Sequence, residues 1–131
     1  MIVDSSAIMS ILLEEEDDKL FAGALADSST PPRLSVGNWI ELAAVVTRTA
    51  DGALWDLAEQ LVRQMMISIE PVTVEQAEIA REAYRRYGLG TRHPARLNFG
   101  DCFAYALAKT TSEPLLFKGN DFAKTDIVPA L

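Results

Sequence analysis

The sequence predicts an α/β fold, a short parallel β-sheet flanked by α-helices on both faces, in one domain over residues 1–131. Three observations predict it. Apolar runs too short for helices alternate with longer stretches of helical periodicity, the pattern of a parallel sheet with crossover helices. A chain of 131 residues suits a single core and buries roughly two thirds of the surface that its unfolded state exposes. The composition, 49% hydrophobic and 24% charged, lies near globular averages and far from disorder.

Taken in order, Met1-Ile2-Val3 reads as a buried strand that runs through Asp4 and Ser5-Ser6 directly into a helix. The acidic run Glu14 to Asp18 stands ahead of Leu20, Phe21, Ala24 and Leu25 at helical spacing. Negative charge there complements a helix dipole, so the run reads as a solvated helix start. Ser28-Ser29-Thr30-Pro31-Pro32 breaks the chain, and Arg33-Leu34-Ser35 is a brief strand. Ser35 or Asn38 then caps a third helix through Trp39 to Thr49. Asp51-Gly52 separates this from an amphipathic helix that carries Leu54, Leu57, Leu61, Val62 and Met65. Met66 to Ile69 is the next strand, closed by Glu70-Pro71, and Thr73 with Gln76 forms a capping box for a helix to about Tyr87. Gly88 to Arg96 is one long polar loop, after which Asn98 caps a helix from Phe99 to about Thr111. Leu115 to Lys118 is the last clear strand; it ends in the turn Gly119-Asn120-Asp121, with a short edge segment near Ile127-Val128.

Charge and cysteine content narrow the function classes. Nineteen acidic against twelve basic residues give a net charge of −7, which excludes a protein that holds nucleic acid by bulk counterion release. A nucleic-acid role then needs a cation or a local basic patch. Arg81, Arg85, Arg86, Arg92 and Arg96 form such a patch, opposed within it only by Glu82. The three on the helix also have Glu78 and Glu82 as ion-pair partners, whereas Arg92 and Arg96 sit in the loop. The single cysteine, Cys102, cannot form an internal disulfide or a cysteine-built zinc site, which suits a reducing, cytoplasmic compartment. No window approaches the roughly 18 apolar residues of a membrane span.

Most acids lie on polar faces, but three lie where solvated charge does not belong. Asp4 ends the apolar strand, Glu41 is the only charge in Trp39 to Val46, and Asp101 is the only one in Phe99 to Ala108. A buried, unpaired carboxylate costs several kcal/mol, so each needs a cation, a hydrogen-bond cage or a raised pKa. Asp121 is a fourth candidate because, like Asp4, it follows a strand, and ligands of open parallel sheets bind outside the carboxyl ends of the strands. Unit charges about 5 Å apart repel by roughly 3 kcal/mol at an effective dielectric near 20. A hard divalent cation resolves that conflict, and an all-oxygen ligand set points to Mg2+ or Mn2+ over zinc. Such ions suit phosphodiester hydrolysis.

These segments together resemble a PIN-domain ribonuclease, and in particular the VapC toxin of a type II toxin–antitoxin pair. The resemblance rests on Ile2-Val3-Asp4-Ser5-Ser6-Ala7, on Glu41 early in the third helix, and on Asn98-Phe99-Gly100-Asp101-Cys102-Phe103. It rests equally on Leu115-Leu116-Phe117-Lys118-Gly119-Asn120-Asp121-Phe122 with Thr125-Asp126. It covers the chain from end to end and implies a PIN domain, dependence on Mg2+ or Mn2+, and cleavage of RNA such as tRNA or rRNA. It also implies a cognate VapB-type antitoxin and a homodimer. Asp4, Glu41 and Asp101 fall on the family's acidic triad; Asp121, Asn120 or Asp126 fills its fourth place. Ser6 matches a supporting hydroxyl residue. Arg92, Arg96 and Lys118 are candidates for RNA contact.

Other readings are weaker on chemistry. Ser5-Ser6 has no nucleophile elbow, and the lone histidine, His93, reads as exposed in the loop. An aspartate-based phosphotransferase would need a carboxylate at position 6, which is Ser6. Cys102 reads as a small core residue, and Trp39, Trp55, Met65 and Met66 as packing within apolar faces. A different class, a catalytically silent RNA-binding or assembly module of the same fold, is distinguished by the absence of metal binding.

Overall fold

A computed structural model describes residues 1–49 and 52–131; Asp51, expected in a helix-separating turn, lies outside the described residues. Apolar pairs make the strands at the centre. Strand β1 (Ile2–Val3) lies between β2 (Arg33–Ser35) and β4 (Leu115–Leu116), and β3 (Ser68–Glu70) flanks β2, giving the order β3-β2-β1-β4 with every pairing parallel. Ile2 aligns with Leu115 and Val3 with Leu116. Because side chains alternate across a strand, Ile2 and Leu115 enter one core cluster, and Val3 and Leu116 the other.

Helices α1 (Ser5–Leu12), α2 (Asp18–Ala26), α3 (Val36–Arg48) and α4 (Gly52–Gln64) bury Ile8, Phe21, Leu42, Leu54 and Leu61 in the second cluster. Helices α5 (Val74–Tyr87) and α6 (Asp101–Thr111) bury Ala83, Tyr87, Tyr105 and Leu107 in the first. The sheet is thus covered on both faces, as the alternating pattern predicts. Capping follows the sequence closely. Thr73 accepts the Gln76 N–H at 3.1 Å, and Ser35, not Asn38, caps α3 by accepting the Gly37 N–H at 3.2 Å. The acidic run lies ahead of α2, which opens at Asp18.

Several boundaries differ from expectation. Helix α6 opens at Asp101 rather than Phe99, because Asn98 Oδ1 accepts the Asp101 N–H at 2.8 Å. Met66 takes a left-handed φ of 51°, so β3 begins only at Ser68, and Met66 is exposed rather than part of an apolar face. Strand β4 stops at Leu116. Its outer edge is covered near Ile127-Val128, where Leu115 donates to Val128 O and accepts from the Ala130 N–H, each at 2.9 Å, as suits an edge that must not be left open.

This topology sets the position of any site. From β1 the chain moves outward to β2 and β3, then returns to the other side of β1 as β4. The switch point therefore lies between β1 and β4, and a ligand crevice is expected at their carboxyl ends. Among the described residues, no helix is long and apolar enough to cross a membrane.

Candidate active site

Asp4 stands at that switch point. It follows β1 with extended backbone and caps α1. Its Oδ2 accepts from the Ser6 N–H at 2.9 Å and the Ser6 hydroxyl at 2.5 Å, and Oδ1 accepts from Asn38 Nδ2 at 3.3 Å. With 2% of its surface exposed, burial outweighs the Ser6 hydrogen bonds, and the charge of Glu41 adds to the push, so the carboxyl is raised to about 6. A buried carboxylate without a cation must behave in this way.

Glu41 arrives from α3, which β2 launches beside β1. It is half-buried, and its Oε2 accepts from the Ser5 hydroxyl at 2.8 Å and from Asn38 Nδ2 at 3.2 Å. Asp101 opens α6 in a reciprocal cap: its Oδ2 accepts the Asn98 N–H at 2.6 Å while Asn98 Oδ1 accepts its own N–H. Burial, then the charge of Asp4, and further Glu41 and Asp121 raise the Asp101 carboxyl to about 7 against the Asn98 hydrogen bond. Asp121, exposed in the turn after β4, is thereby one of the charges felt at Asp101. Carboxylates from four separate segments, after β1, on α3, on α6 and after β4, are electrostatic neighbours.

No Lys or Arg pairs with any of the four among the described residues. Nor, among those residues, do three Asp, Glu, His or Cys side chains draw together into a closed metal cage. The carboxylates share a field without touching, as mutually repelling anions do. Each of Glu41 and Asp101 is fixed through one oxygen, and the second has no protein hydrogen bond among the described residues. An all-oxygen, anionic donor set of this kind fits a hard divalent cation.

Sequence reasoning missed two contributors. Asn38, read only as a possible cap, is fully buried, and its Nδ2 reaches Asp4, Glu41 and the carbonyl of Gly100 at 3.1 Å. One side-chain amide thus ties the end of β1, α3 and the approach to α6. Its place three residues before Glu41, on the same helix face, is the signal that could have found it. Gly100 is the other. Its backbone is ordinary helical (φ −63°), so the need is for space: a Cβ there would overlap the Glu41 carboxylate. Gly100→Ala is therefore expected to fold normally, because a flexible side-chain end can yield, and to slow the reaction these carboxylates support about tenfold or more by displacing Glu41. An angstrom-scale misplacement can cost about a hundredfold. Circular dichroism and initial rates on one preparation check it.

The remaining predicted residues divide. Ser6 links Asp4 to the end of β4, since its Oγ also accepts the Lys118 N–H at 3.0 Å. The Lys118 ammonium turns to Glu15 at 2.8 Å and Asp17 at 3.7 Å. Asn120 is exposed beside Asp121. Asp126 lies elsewhere, accepting from the Tyr105 hydroxyl at 2.6 Å and Lys109 at 3.2 Å. Arg81 pairs with Glu78, Arg85 with Glu82, and Arg86 lies 4.7 Å from the centre of the Tyr87 ring. Arg92 and Arg96 are exposed, both at left-handed φ, and form no ion pair among the described residues. His93 is half-buried rather than exposed: its ring meets Tyr87 edge-on at 4.9 Å, and Nδ1 accepts the Ala95 N–H. Cys102 is buried, and burial, reinforced by Asp101, pushes its thiol up to about 12. Trp39 and Trp55 pack together at 4.5 Å between α3 and α4. A larger concavity of about 790 Å³ lies at the other end of the sheet around Arg33 and Glu113, whose charges already pair. Its other acid, Glu70, accepts from the Ser68 hydroxyl at 3.0 Å.

A family model described as PIN domain matches residues 1–128. Ribonuclease VapC28 of Mycobacterium tuberculosis is 45% identical over 131 residues, covering 100% of this chain and 98% of its own. Among solved structures, the M. tuberculosis toxin VapC20, described as cleaving the sarcin–ricin loop, superposes with a TM-score of 0.75 at 18% identity, covering 97% of this chain and 95% of its own. A toxin–antitoxin complex from Klebsiella pneumoniae gives 0.69 at 16% identity, with coverage of 99% and 97%. At those identities the two structures speak to the fold alone.

Proposed function

Because the chain belongs to the PIN-domain family and has full-length VapC relatives, we propose that it is a VapC-type endoribonuclease in which Asp4, Glu41, Asp101 and Asp121 hold a divalent cation. The observation that carries this is that Asp4, Glu41 and Asp101, with the charge of Asp121 felt at Asp101, have no Lys or Arg ion-pair partner among the described residues, and Asp4 and Asp101 are raised well above their ordinary range. A hard cation, Mg2+ or Mn2+, supplies positive charge for the scissile phosphate and makes water a better nucleophile. The chain's own residues do the rest. Ser6 holds Asp4 Oδ2, Ser5 and Asn38 hold Glu41 Oε2, and Asn98 holds Asp101 Oδ2, so the carboxylates are oriented before substrate arrives. Gly100 leaves room for Glu41 to lie against the start of α6. Asn120, exposed beside Asp121, is the candidate supporting residue at this corner of the site. Arg92 and Arg96 contact RNA phosphates, and Lys118 joins them when released from Glu15.

The substrate is a structured RNA, tRNA or rRNA; the description of VapC20 supports the ribosomal case. The partner is a VapB-type antitoxin, a reading supported by the toxin–antitoxin complex of matching fold. An arginine from such a partner would suit a cleft of carboxylates. The protein works in the cytoplasm as a homodimer. No observation favours the silent-module reading.

The test is cleavage of total tRNA and rRNA by the purified chain, with the new ends mapped. Discrete cuts in Mg2+ or Mn2+ that stop on addition of EDTA are expected. Cutting that is indifferent to EDTA would overturn the metal-dependent reading.

A further inference from the structure

Resting on that ribonuclease reading, we propose that the groove between α3 and the start of α6 is a subsite for an unstacked nucleobase adjoining the scissile phosphate, with Phe99 as its stacking surface. The groove encloses about 450 Å³, a size in the range of small-ligand sites. Phe99 is 74% exposed and Ile40 is 64% exposed, costly positions for large apolar groups that nothing among the described residues covers. Phe99 does not hang loose: it stands edge-on to Phe103 at 5.0 Å and 87°, so its orientation is set in advance.

Two features identify the occupant. Glu41 and Gly100 belong both to the groove and to the carboxylate site, so whatever fills the groove adjoins the reacting group. Arg48, two turns beyond Glu41 on α3 and about 10 Å along the helix axis, lines the same groove, is exposed, and forms no ion pair among the described residues. An aromatic surface, a guanidinium and a neighbouring phosphodiester centre together match one nucleotide of single-stranded RNA, whose base stacks and whose phosphate meets the cation. A second copy of the chain is a poorer fit. Ile40 and Phe99 are the large exposed apolar groups of the groove, too few for the roughly 800 Å² per partner of a stable interface.

The experiment uses the RNA whose cut is mapped in the cleavage assay, together with versions abasic at single positions around the cut. Stacking is worth about 1–3 kcal/mol per base, so Phe99→Ala should raise KM about fivefold to a hundredfold, and Phe99→Trp should restore it. The unaltered chain should lose a similar factor on RNA abasic at one position, and Phe99→Ala should lose nothing further on that RNA. A KM within twofold of normal for Phe99→Ala overturns the subsite. So does an equal further loss on every abasic RNA, or a KM change that merely tracks a shift to lower mass in sedimentation or loss of antitoxin binding. If the unaltered chain cuts no RNA, the ribonuclease reading fails and the subsite with it; if the unaltered chain cuts and Phe99→Ala matches it, the subsite alone fails.

Discussion

Asp101→Asn is expected to lower RNA cleavage by about a hundredfold to a thousandfold while leaving a protein that melts, without metal at pH 8, at or above the temperature of the unaltered chain. The loss follows from the removal of a charged oxygen from the centre meant to neutralise the phosphate; groups that stabilise transition-state charge are each worth about a hundredfold to a thousandfold. The preserved stability follows from the same residue's place in the fold. Asparagine matches aspartate in shape and can still accept the Asn98 N–H that Asp101 Oδ2 accepts at 2.6 Å. It also removes a buried charge that Asp4, Glu41 and Asp121 all oppose. A variant that loses both activity and fold would contradict this account, which gives Asp101 a functional role at a cost in stability. Cleavage by Asp101→Asn at the normal rate would contradict it equally.

Metal-free protein is expected to become less stable as pH rises from about 5 to about 8. Asp4 moves from an ordinary 3.8 to about 6, and Asp101 from 3.8 to about 7. Between those values the folded state keeps protons that the unfolded state has released, so ν_U − ν_N is negative and unfolding free energy falls with pH. The stabilisation is complete below about 4 and is lost as pH climbs through the folded-state values. For Asp101 the shift corresponds to about 4 kcal/mol. Glu113 acts with the opposite sign: desolvation is outweighed by the N-terminal ammonium and Arg33, which hold its carboxyl low. Its contribution is lost only as pH falls below about 4.5, outside the window. Melting temperatures across the pH series for the unaltered chain and Asp101→Asn separate the terms, and the slope should be shallower in the variant.

Local signals were the readable part of this chain. Thr73 with Gln76 satisfies a backbone donor within a few residues, so sequence alone shows it, whereas sequence narrows the cap of α3 only to Ser35 or Asn38, and it is Ser35 that accepts the Gly37 N–H. The two-faced sheet was readable because Ile2-Val3 and Leu115-Leu116 have no polar side, as strands buried on both faces require. Asp4, Glu41 and Asp101 stood out because each is a charge in apolar surroundings. What stayed hidden depends on segments meeting far apart in sequence. Asn38 has three acceptors on three elements, and nothing near it in sequence distinguishes that from a capping role. Gly100 looks like a helix-start glycine until Glu41 is seen against it. His93 looks solvated until Tyr87 closes on its ring. Lys118 reads as a candidate for RNA contact, and its pairing with the acidic run Glu14 to Asp18 is seen only when the α1–α2 connection brings that run to it.

Four carboxylates that repel one another at pH 8 should be drawn together by a divalent cation. The most direct measurement is the melting temperature of EDTA-treated, dialysed protein at pH 8 as Mn2+ is added, for the unaltered chain and Asp101→Asn. A ligand that binds only the folded state stabilises by about 2.7 kcal/mol at a hundredfold its dissociation constant, which is several degrees for a domain of this size. The account predicts a saturable rise of that order in the unaltered chain, larger at pH 8 than at pH 5, and little or none in Asp101→Asn. An unaltered chain whose melting temperature ignores Mn2+, or a variant that responds as fully as its parent, would contradict it.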